Sequence, residues 1–430
     1  MISSLERQSL HFINGSLLRK NMGLTLVRQL LVAIAQFLLI MIIARELGPE
    51  GNGFYALAIL VPTMMVSFLS LGVGPATTYH ISRKSFDPYQ AKKFNIRLAS
   101  MIVTSGLIII IPVLLVWGDE LFPSIPLLYL LIAVASFPIA ILLGFLNSIL
   151  QGLEDFKAFN LTILLPPYVN LVFVFIALVV LRLGVSGALV SYFVGQFVGL
   201  VVVMIFMRRY SPSQQKGSHY ESDNSYVRKT VSYGLRAHLS NILAFVNYRA
   251  DLFLVNFFLN PAAAGVYVIA IHIAEKLWMI SQAASTVLLP RLSAMHDDSK
   301  ARLKLTNKFF WLVSVVTTIL SGLAGLLLYF FLEPIFGENY VSALPAFLWL
   351  LPGIIAGAGG RIYSNCIAAA GKPEWNMYVS FLVVLLNIIF NIVLIPKYGL
   401  LGAAWATSAV YCFNALIKFS LVRRTLQLTG

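Results

Sequence analysis

Between residues 230 and 258 the chain places Arg236, Ser240, Asn247 and Asp251 at separations of four, seven and four. On a helix that spacing puts all four on one face. The same segment also carries Ser232, His238, Asn241 and Arg249. Arg236 and Arg249 are the functional candidates among them, as cations that a span does not carry without a wet cavity or a partner. A stripe this polar cannot face lipid; it lines either water or another polar helix. Arg249 and Asp251 are two residues apart, point in different directions, and are not expected to neutralise each other directly.

Nothing nearby would break bonds. The sequence has no glycine-rich phosphate loop ending in Lys-Ser or Lys-Thr, no HExxH, no CxxC and no GxSxG. The six histidines (11, 80, 219, 238, 272 and 296) are scattered. Cys366 and Cys412 fall inside apolar runs, where burial as small apolar side chains is expected. The expectation is a protein that is not an enzyme and holds no metal or organic cofactor.

The elements that must position these residues are set by composition. Hydrophobic residues make up 59% of the 430-residue chain and charged residues 11%, with a mean hydropathy of +0.85. Soluble chains carry roughly 45–50% apolar and about 25% charged residues. Twelve apolar stretches are long enough to span a membrane, at approximately 24–44, 53–75, 96–117, 125–150, 159–181, 184–207, 230–258, 263–289, 306–331, 341–370, 375–396 and 399–422. The runs are continuous rather than alternating, which argues against a membrane barrel. The expected fold is an all-α integral membrane protein of about twelve transmembrane helices.

The chain also repeats itself. LGPEGNGFYALA at 47–58 returns as LNPAAAGVYVIA at 259–270, pairing Pro49 with Pro261, Gly53 with Gly265, Tyr55 with Tyr267 and Ala58 with Ala270. LGVSGA at 183–188 returns as YGLLGA at 398–403. The unit is far longer than a solenoid repeat, so it reads as a duplicated bundle. Two six-helix bundles, 23–207 and 230–430, are expected around a central cavity, joined by a polar cytoplasmic linker at 208–229. Residues 1–22 form no evident signal peptide. With Leu10, Ile13 and Leu17 on one face, they read as a cytoplasmic segment, either lying on the membrane surface or frayed.

Charge sets the orientation. With both termini inside, 22 Lys and Arg residues fall on the cytoplasmic side and only Arg45, Arg182 and Lys397 outside, a strong positive-inside bias. The net charge of +14 then reflects anionic lipid headgroups, with no nucleic-acid partner expected. Six bases remain within spans, Arg28, Arg236, Arg249, Lys276, Arg361 and Lys418, against two acids, Asp251 and Glu275. A charge in the hydrocarbon region costs at least about 2.5–3.5 kcal/mol, so such residues tend to face a wet cavity or a partner. Lys418 is expected to snorkel toward the inner face. Arg28 either snorkels or lines a lumen, and Glu275 and Lys276 either bond neighbouring helices or line a path. Pro62, Pro112, Pro138, Pro166, Pro167, Pro345 and Pro352 interrupt spans, as fixed bends or as hinges.

The run ARELGPEGNGFYALA at 44–58 and SLGVGPATTYHISR at 70–83 resemble the opening of the polysaccharide-transporter (Wzx-like) oligosaccharide flippases, of the multidrug/oligosaccharidyl-lipid/polysaccharide exporter superfamily. LNSILQGLEDFKAFN at 146–160 and GVSGALVSYFVG at 184–195 are similar too. The resemblance implies a flippase that carries undecaprenyl-diphosphate-linked oligosaccharides from the cytoplasmic to the outer leaflet of the plasma membrane by alternating access. Such a protein would serve cell-surface polysaccharide biosynthesis, with a polysaccharide polymerase and assembly machinery as candidate partners. The substrate contacts would then be Arg28, Arg236 and Arg249, with Lys276 and Arg361 behind them. If a proton or sodium gradient drives transport, Asp251 and Glu275 are the candidates to couple it. A multidrug cation antiporter of the same fold would need an acidic cavity, and here the balance is basic. A non-transport scaffold of glycan assembly would not need buried charge at 230–258.

Overall fold

A computed structural model describes residues 4–210, 223–295 and 298–427; the side chains of 4–26, 223–225, 227, 236, 237, 290, 294 and 425–427 lie outside the described set. Among the described residues every element is helical. In chain order these are α1 Ser4–Leu69, α2 Val73–Ser82, α3 Pro88–Leu121, α4 Leu127–Val134, α5 Phe137–Gly152 and α6 Phe156–Val174. There follow α7 Gly184–Met207, α8 Asp223–Phe258, α9 Pro261–Lys276, α10 Met279–Ala294 and α11 Ser299–Phe336. The last three are α12 Ala343–Ala369, α13 Pro373–Tyr398 and α14 Leu400–Gln427. This is a multi-pass, all-α membrane fold.

Ten helices among the described residues are long and apolar enough to cross a membrane, where the sequence leads one to expect about twelve. Two causes account for the difference. α1 counts once but holds two of the expected spans, joined across Gly48 at φ 67°, a left-handed backbone that glycine adopts without a Cβ clash. α8 is not among the ten, because its polar residues dilute its apolar run. Three further spans are broken inside: 53–75 at residues 70–72, 125–150 ahead of Pro138, and 263–289 at Leu277 and Trp278. Pro112, Pro166, Pro167 and Pro352 instead lie within continuous helices.

The chain forms two compact units, each assembled from separate segments. The first comprises Met1–Ile42, Val61–Val113 and Leu130–His238. Leu146, Ile149 and Leu150 of α5 form its core with Ala91 of α3, Ala158 of α6, Val203 and Met207 of α7 and Tyr226 of α8. A buried hydroxyl–amide cluster ties the start of α8 into this core. Tyr226 lies 3.1 Å from the Thr77 hydroxyl and donates to Asn95 Oδ1 at 3.3 Å, while Asn95 Nδ2 donates to Thr77 Oγ1 and to the Phe145 carbonyl, both at 3.2 Å. An unsatisfied polar group costs several kcal/mol in hydrocarbon, so a closed cluster of this kind stabilises the helix contacts that it spans.

The second unit comprises Ile43–Leu60, Leu114–Tyr129 and Leu239–Gly430. Here the two copies of the repeated motif meet. A Cβ on Gly53 would overlap the Pro261 carbonyl, and a Cβ on Gly265 would overlap the Pro49 carbonyl. Each glycine thus makes room for the proline carbonyl of the other copy, a reciprocal contact with backbone against backbone. Asn52 seals it by donating from Nδ2 to the Gly265 carbonyl at 2.7 Å. Seven residues earlier, across Gly48, Arg45 donates to the carbonyls of Pro334 and Ile335 at the end of α11. That helix has no basic residue in its own last turn, so Arg45 supplies the cation its C-terminus favours. Tyr340 donates to the Ala44 carbonyl at 3.2 Å.

Because a methyl group at Gly265 would meet backbone, which cannot rotate away, Gly265→Ala is expected to destabilise the protein by at least ~1–3 kcal/mol. Gly322→Ala in α11, where a Cβ meets nothing within 4 Å, serves as the control and is expected to be neutral or stabilising by up to ~1 kcal/mol. Thermal unfolding in detergent reads both. Equal midpoints for Gly265→Ala and the parent would mean that the two backbones are not in this contact.

Candidate functional site

In the second unit, α8 and α9 bring Arg249 and Glu275 together. Arg249 Nη1 donates to Glu275 Oε1 at 2.8 Å and Nη2 to Oε2 at 3.4 Å, a two-pronged pair, and Nη1 also reaches the Tyr248 carbonyl at 3.0 Å. The two side chains are 31% and 25% exposed, so the pair is reachable without being fully solvated. Removing one partner would strand a charge in a low-dielectric setting. The charge of Arg249 is balanced by the next helix, and not by Asp251 two residues on.

Asp251 sits deeper, 4% exposed. Its Oδ1 accepts from the Leu252 backbone amide at 2.8 Å, and its Oδ2 accepts from Tyr267 at 3.1 Å and Thr407 at 3.4 Å. Tyr267 is the tyrosine of the second motif copy and is fully buried. The repeat contact therefore also seats a donor for the buried acid. Along the stripe expected to share one face, Ser240 is exposed, Asn247 half-buried with Oδ1 lacking a partner, and Asp251 buried. The side chain of Arg236, expected on the same stripe, lies outside the described residues.

Trp278, at the break between α9 and α10, organises the neighbourhood. Its indole donates to the Ile354 carbonyl at 3.1 Å and packs against Tyr248 at 5.4 Å and Tyr411 at 5.3 Å. Arg361 of α12 lies over the same ring at 5.8 Å, a cation–π contact. Lys276 is exposed. Lys418 does not snorkel: at 8% exposure it is enclosed by the helices of its own unit.

In the first unit, Arg28 of α1 lies over the Phe159 ring of α6 at 5.6 Å. Its Nε and Nη1 are buried and make no hydrogen bond among the described residues. This leaves a half-buried guanidinium on a span with unused hydrogen-bond donors. The sequence led toward Arg28, Arg249, Asp251, Glu275 and Arg361, but not toward Tyr267 and Thr407 as the donors to Asp251, or toward Trp278 as the ring beneath Arg361. Also unanticipated are Asn387 and Asn391 on α13, both fully buried, with Asn391 Nδ2 donating to Asn387 Oδ1 at 3.1 Å.

The fold is shared with solved transporters. The chain superimposes on a structure of the lipid II flippase MurJ in an inward closed conformation, with a TM-score of 0.74 and 14% identity, covering 95% of this chain and 89% of that one. It superimposes on an inward-facing multidrug resistance MATE family transporter of the MOP superfamily, with a TM-score of 0.69 and 15% identity over 93% of this chain and 95% of that one. Among curated relatives, the capsular polysaccharide biosynthesis protein CapF of Staphylococcus aureus is 22% identical over 414 residues, 93% of this chain and 98% of its own length. The resemblance read from residues 44–83, 146–160 and 184–195 is borne out by a family model described as "Polysaccharide biosynthesis protein", which matches residues 18–296. That match spans more than half of the 430 residues, and the chain belongs to this family of membrane proteins of polysaccharide biosynthesis.

Proposed function

We propose that the protein is a flippase that carries undecaprenyl-diphosphate-linked oligosaccharides from the cytoplasmic to the outer leaflet of the plasma membrane by alternating access. The observation that carries this reading is Arg28, a span-borne cation whose Nε and Nη1 are buried without a partner. A lipid diphosphate is anionic, and two of its oxygens match an arginine fork. A cation exporter would have no use for such a group. Family membership supports the same reading, as does a shared fold with a lipid flippase. The positive-inside bias supports termini in the cytoplasm.

Arg249 enters as a second anion contact held in reserve. Its forked pairing with Glu275 can be exchanged for an equally forked pairing with a diphosphate, releasing the carboxylate. Lys276 and Arg361 are further contacts in this proposal, and Arg236 completes the set. Asp251 and Glu275 are the groups through which a proton or sodium gradient would act.

Purified protein in proteoliposomes containing a fluorescent undecaprenyl-diphosphate glycan tests the reading directly. The parent is expected to exchange the lipid between leaflets, Arg28→Ala to slow exchange by about tenfold or more, and Arg28→Lys to fall between them. No exchange by the parent, together with efflux of a cationic dye, would put the protein with the antiporters.

Glu275→Gln leaves Arg249 without its counter-charge. It is expected to bind undecaprenyl diphosphate more tightly than the parent while exchanging it more slowly, because the anion no longer has a competitor to displace it. Unchanged affinity would remove Arg249 from the path.

Asp251→Asn is expected to abolish stimulation of exchange by an imposed proton or sodium gradient while leaving gradient-free exchange in place. Full stimulation in the variant would exclude Asp251 as the coupling group.

A further inference from the structure

A cavity of about 480 Å³ opens within the first unit, where α2 faces α5 and α6. That size falls in the ~300–1,000 Å³ range of small-molecule sites. Its walls are Thr78 and Tyr79 from α2, Asn147, Ser148 and Gln151 from α5, and Phe159 from α6. Among the described residues, no charged side chain lines it. Two carboxamides, three hydroxyls (those of Thr78 and Ser148 already donating to backbone carbonyls) and two aromatic rings, Tyr79 being stacked on Tyr233 at 4.6 Å, make a neutral site of hydrogen-bonding and aromatic groups. A sugar ring has these needs: hydroxyls that are donors and acceptors at once, and apolar C–H faces between them.

Two observations indicate that the space is built rather than left over. Asn147 Oδ1 accepts from Thr162 at 2.7 Å and Thr78 donates to the Ser148 carbonyl at 3.0 Å, so groups in the wall are oriented from behind. Both helices also present a glycine to the opening. A Cβ on Gly144 would meet nothing within 4 Å, and one on Gly74 would only touch Ser148 at 4.0 Å. Packing does not demand glycine at either place, and glycine costs roughly 1 kcal/mol relative to alanine inside a helix. Open volume is what the two residues provide.

The walls are backed by cations. Arg28, with its idle donors, lies over Phe159, and Arg83 lies over Tyr79 at 4.8 Å. A ligand with an uncharged glycan and an adjoining diphosphate would find a stacking, hydrogen-bonding chamber beside fixed positive charge. Thr78, Tyr79 and Gln151 lie in the last turns of α2 and α5; the connection after α2 carries Arg83 and Lys84, and the one after α5 carries Glu154 and Asp155 ahead of Lys157 in the first turn of α6. The charge bias assigns that side to the cytoplasm, where a newly made lipid-linked glycan is loaded.

We propose that this chamber is a saccharide subsite, reading the first sugar next to the diphosphate. The inference rests on the proposed flippase function and deepens it: Arg28 takes the charge, and Asn147, Gln151, Tyr79 and Phe159 read the sugar.

Gly144→Leu tests it with little risk to folding, since the new side chain grows into open space and improves helix propensity. The binding of undecaprenyl diphosphate is compared with that of a panel of undecaprenyl-diphosphate monosaccharides (N-acetylhexosamine, hexose and 6-deoxyhexose) for the detergent-purified parent, Gly144→Leu and Asn147→Ala/Gln151→Ala. The parent is expected to prefer at least one sugar-bearing lipid by about tenfold. Both variants are expected to lose that preference while holding undecaprenyl diphosphate as well as the parent does. Retained preference in Gly144→Leu, parallel loss of both affinities, or a parent that binds every probe alike would each overturn the subsite and leave the flippase reading intact. A parent that binds none of the lipids would overturn the flippase reading as well.

Discussion

The second unit depends on one close approach, in which Gly53 and Gly265 each admit the proline carbonyl of the opposite motif copy. No other residue type allows two helix backbones this near, because a single methylene would already collide. Once they touch, neighbouring parts follow. Asn52 reaches the Gly265 carbonyl, Arg45 and Tyr340 tie the end of α11 to α1, and Tyr267 is placed to hold Asp251. In hydrocarbon there is no apolar driving force between helices, so close packing of small residues and internal hydrogen bonds carry association. Both are concentrated here.

The intramembrane charges divide into two physical classes. Arg249 and Glu275 cancel each other, and Asp251 is held by hydroxyls and a backbone amide. Each of these groups has its partners within the second unit. Arg28 is different: among the described residues its Nε and Nη1 have no hydrogen-bond partner, and an aromatic ring lies beside it. Under the proposed function, an anion meets an unengaged cation in one unit and competes for an engaged one in the other.

The sequence revealed the helical class, the duplication and the polar face of α8 because each is written in local spacing. Gly53 and Gly265 were visible as matched positions, but their mutual contact was not, since a repeat reports similarity and not proximity. The pairing of Arg249 with Glu275 joins residues 26 apart on adjacent helices, and Thr407 reaches Asp251 across 156 residues. Neither leaves a periodic trace. Prolines drew attention to bends in the chain, and Pro138 does follow one break, yet the breaks at residues 70–72 and at Leu277 and Trp278 contain none; the first of these turns at Gly72, φ 67°. The burial of Lys418 follows from which helices surround α14, something a hydropathy profile does not carry.

The membership of Ile43–Leu60 in the second unit has a consequence for biosynthesis. That segment leaves the ribosome early, but the residues that receive it, from Pro261 onward, follow some 200 positions later. At about 5–20 residues per second, the nascent chain waits roughly 10–40 s with Asn52 and the Gly53 groove bare in the bilayer. During that interval the first motif copy is an unsatisfied, small-residue helix surface, open to any other helix in the insertion machinery or in a neighbouring nascent chain. Translation order therefore makes the early copy the vulnerable one, and the arrival of the second copy is the event that ends its exposure.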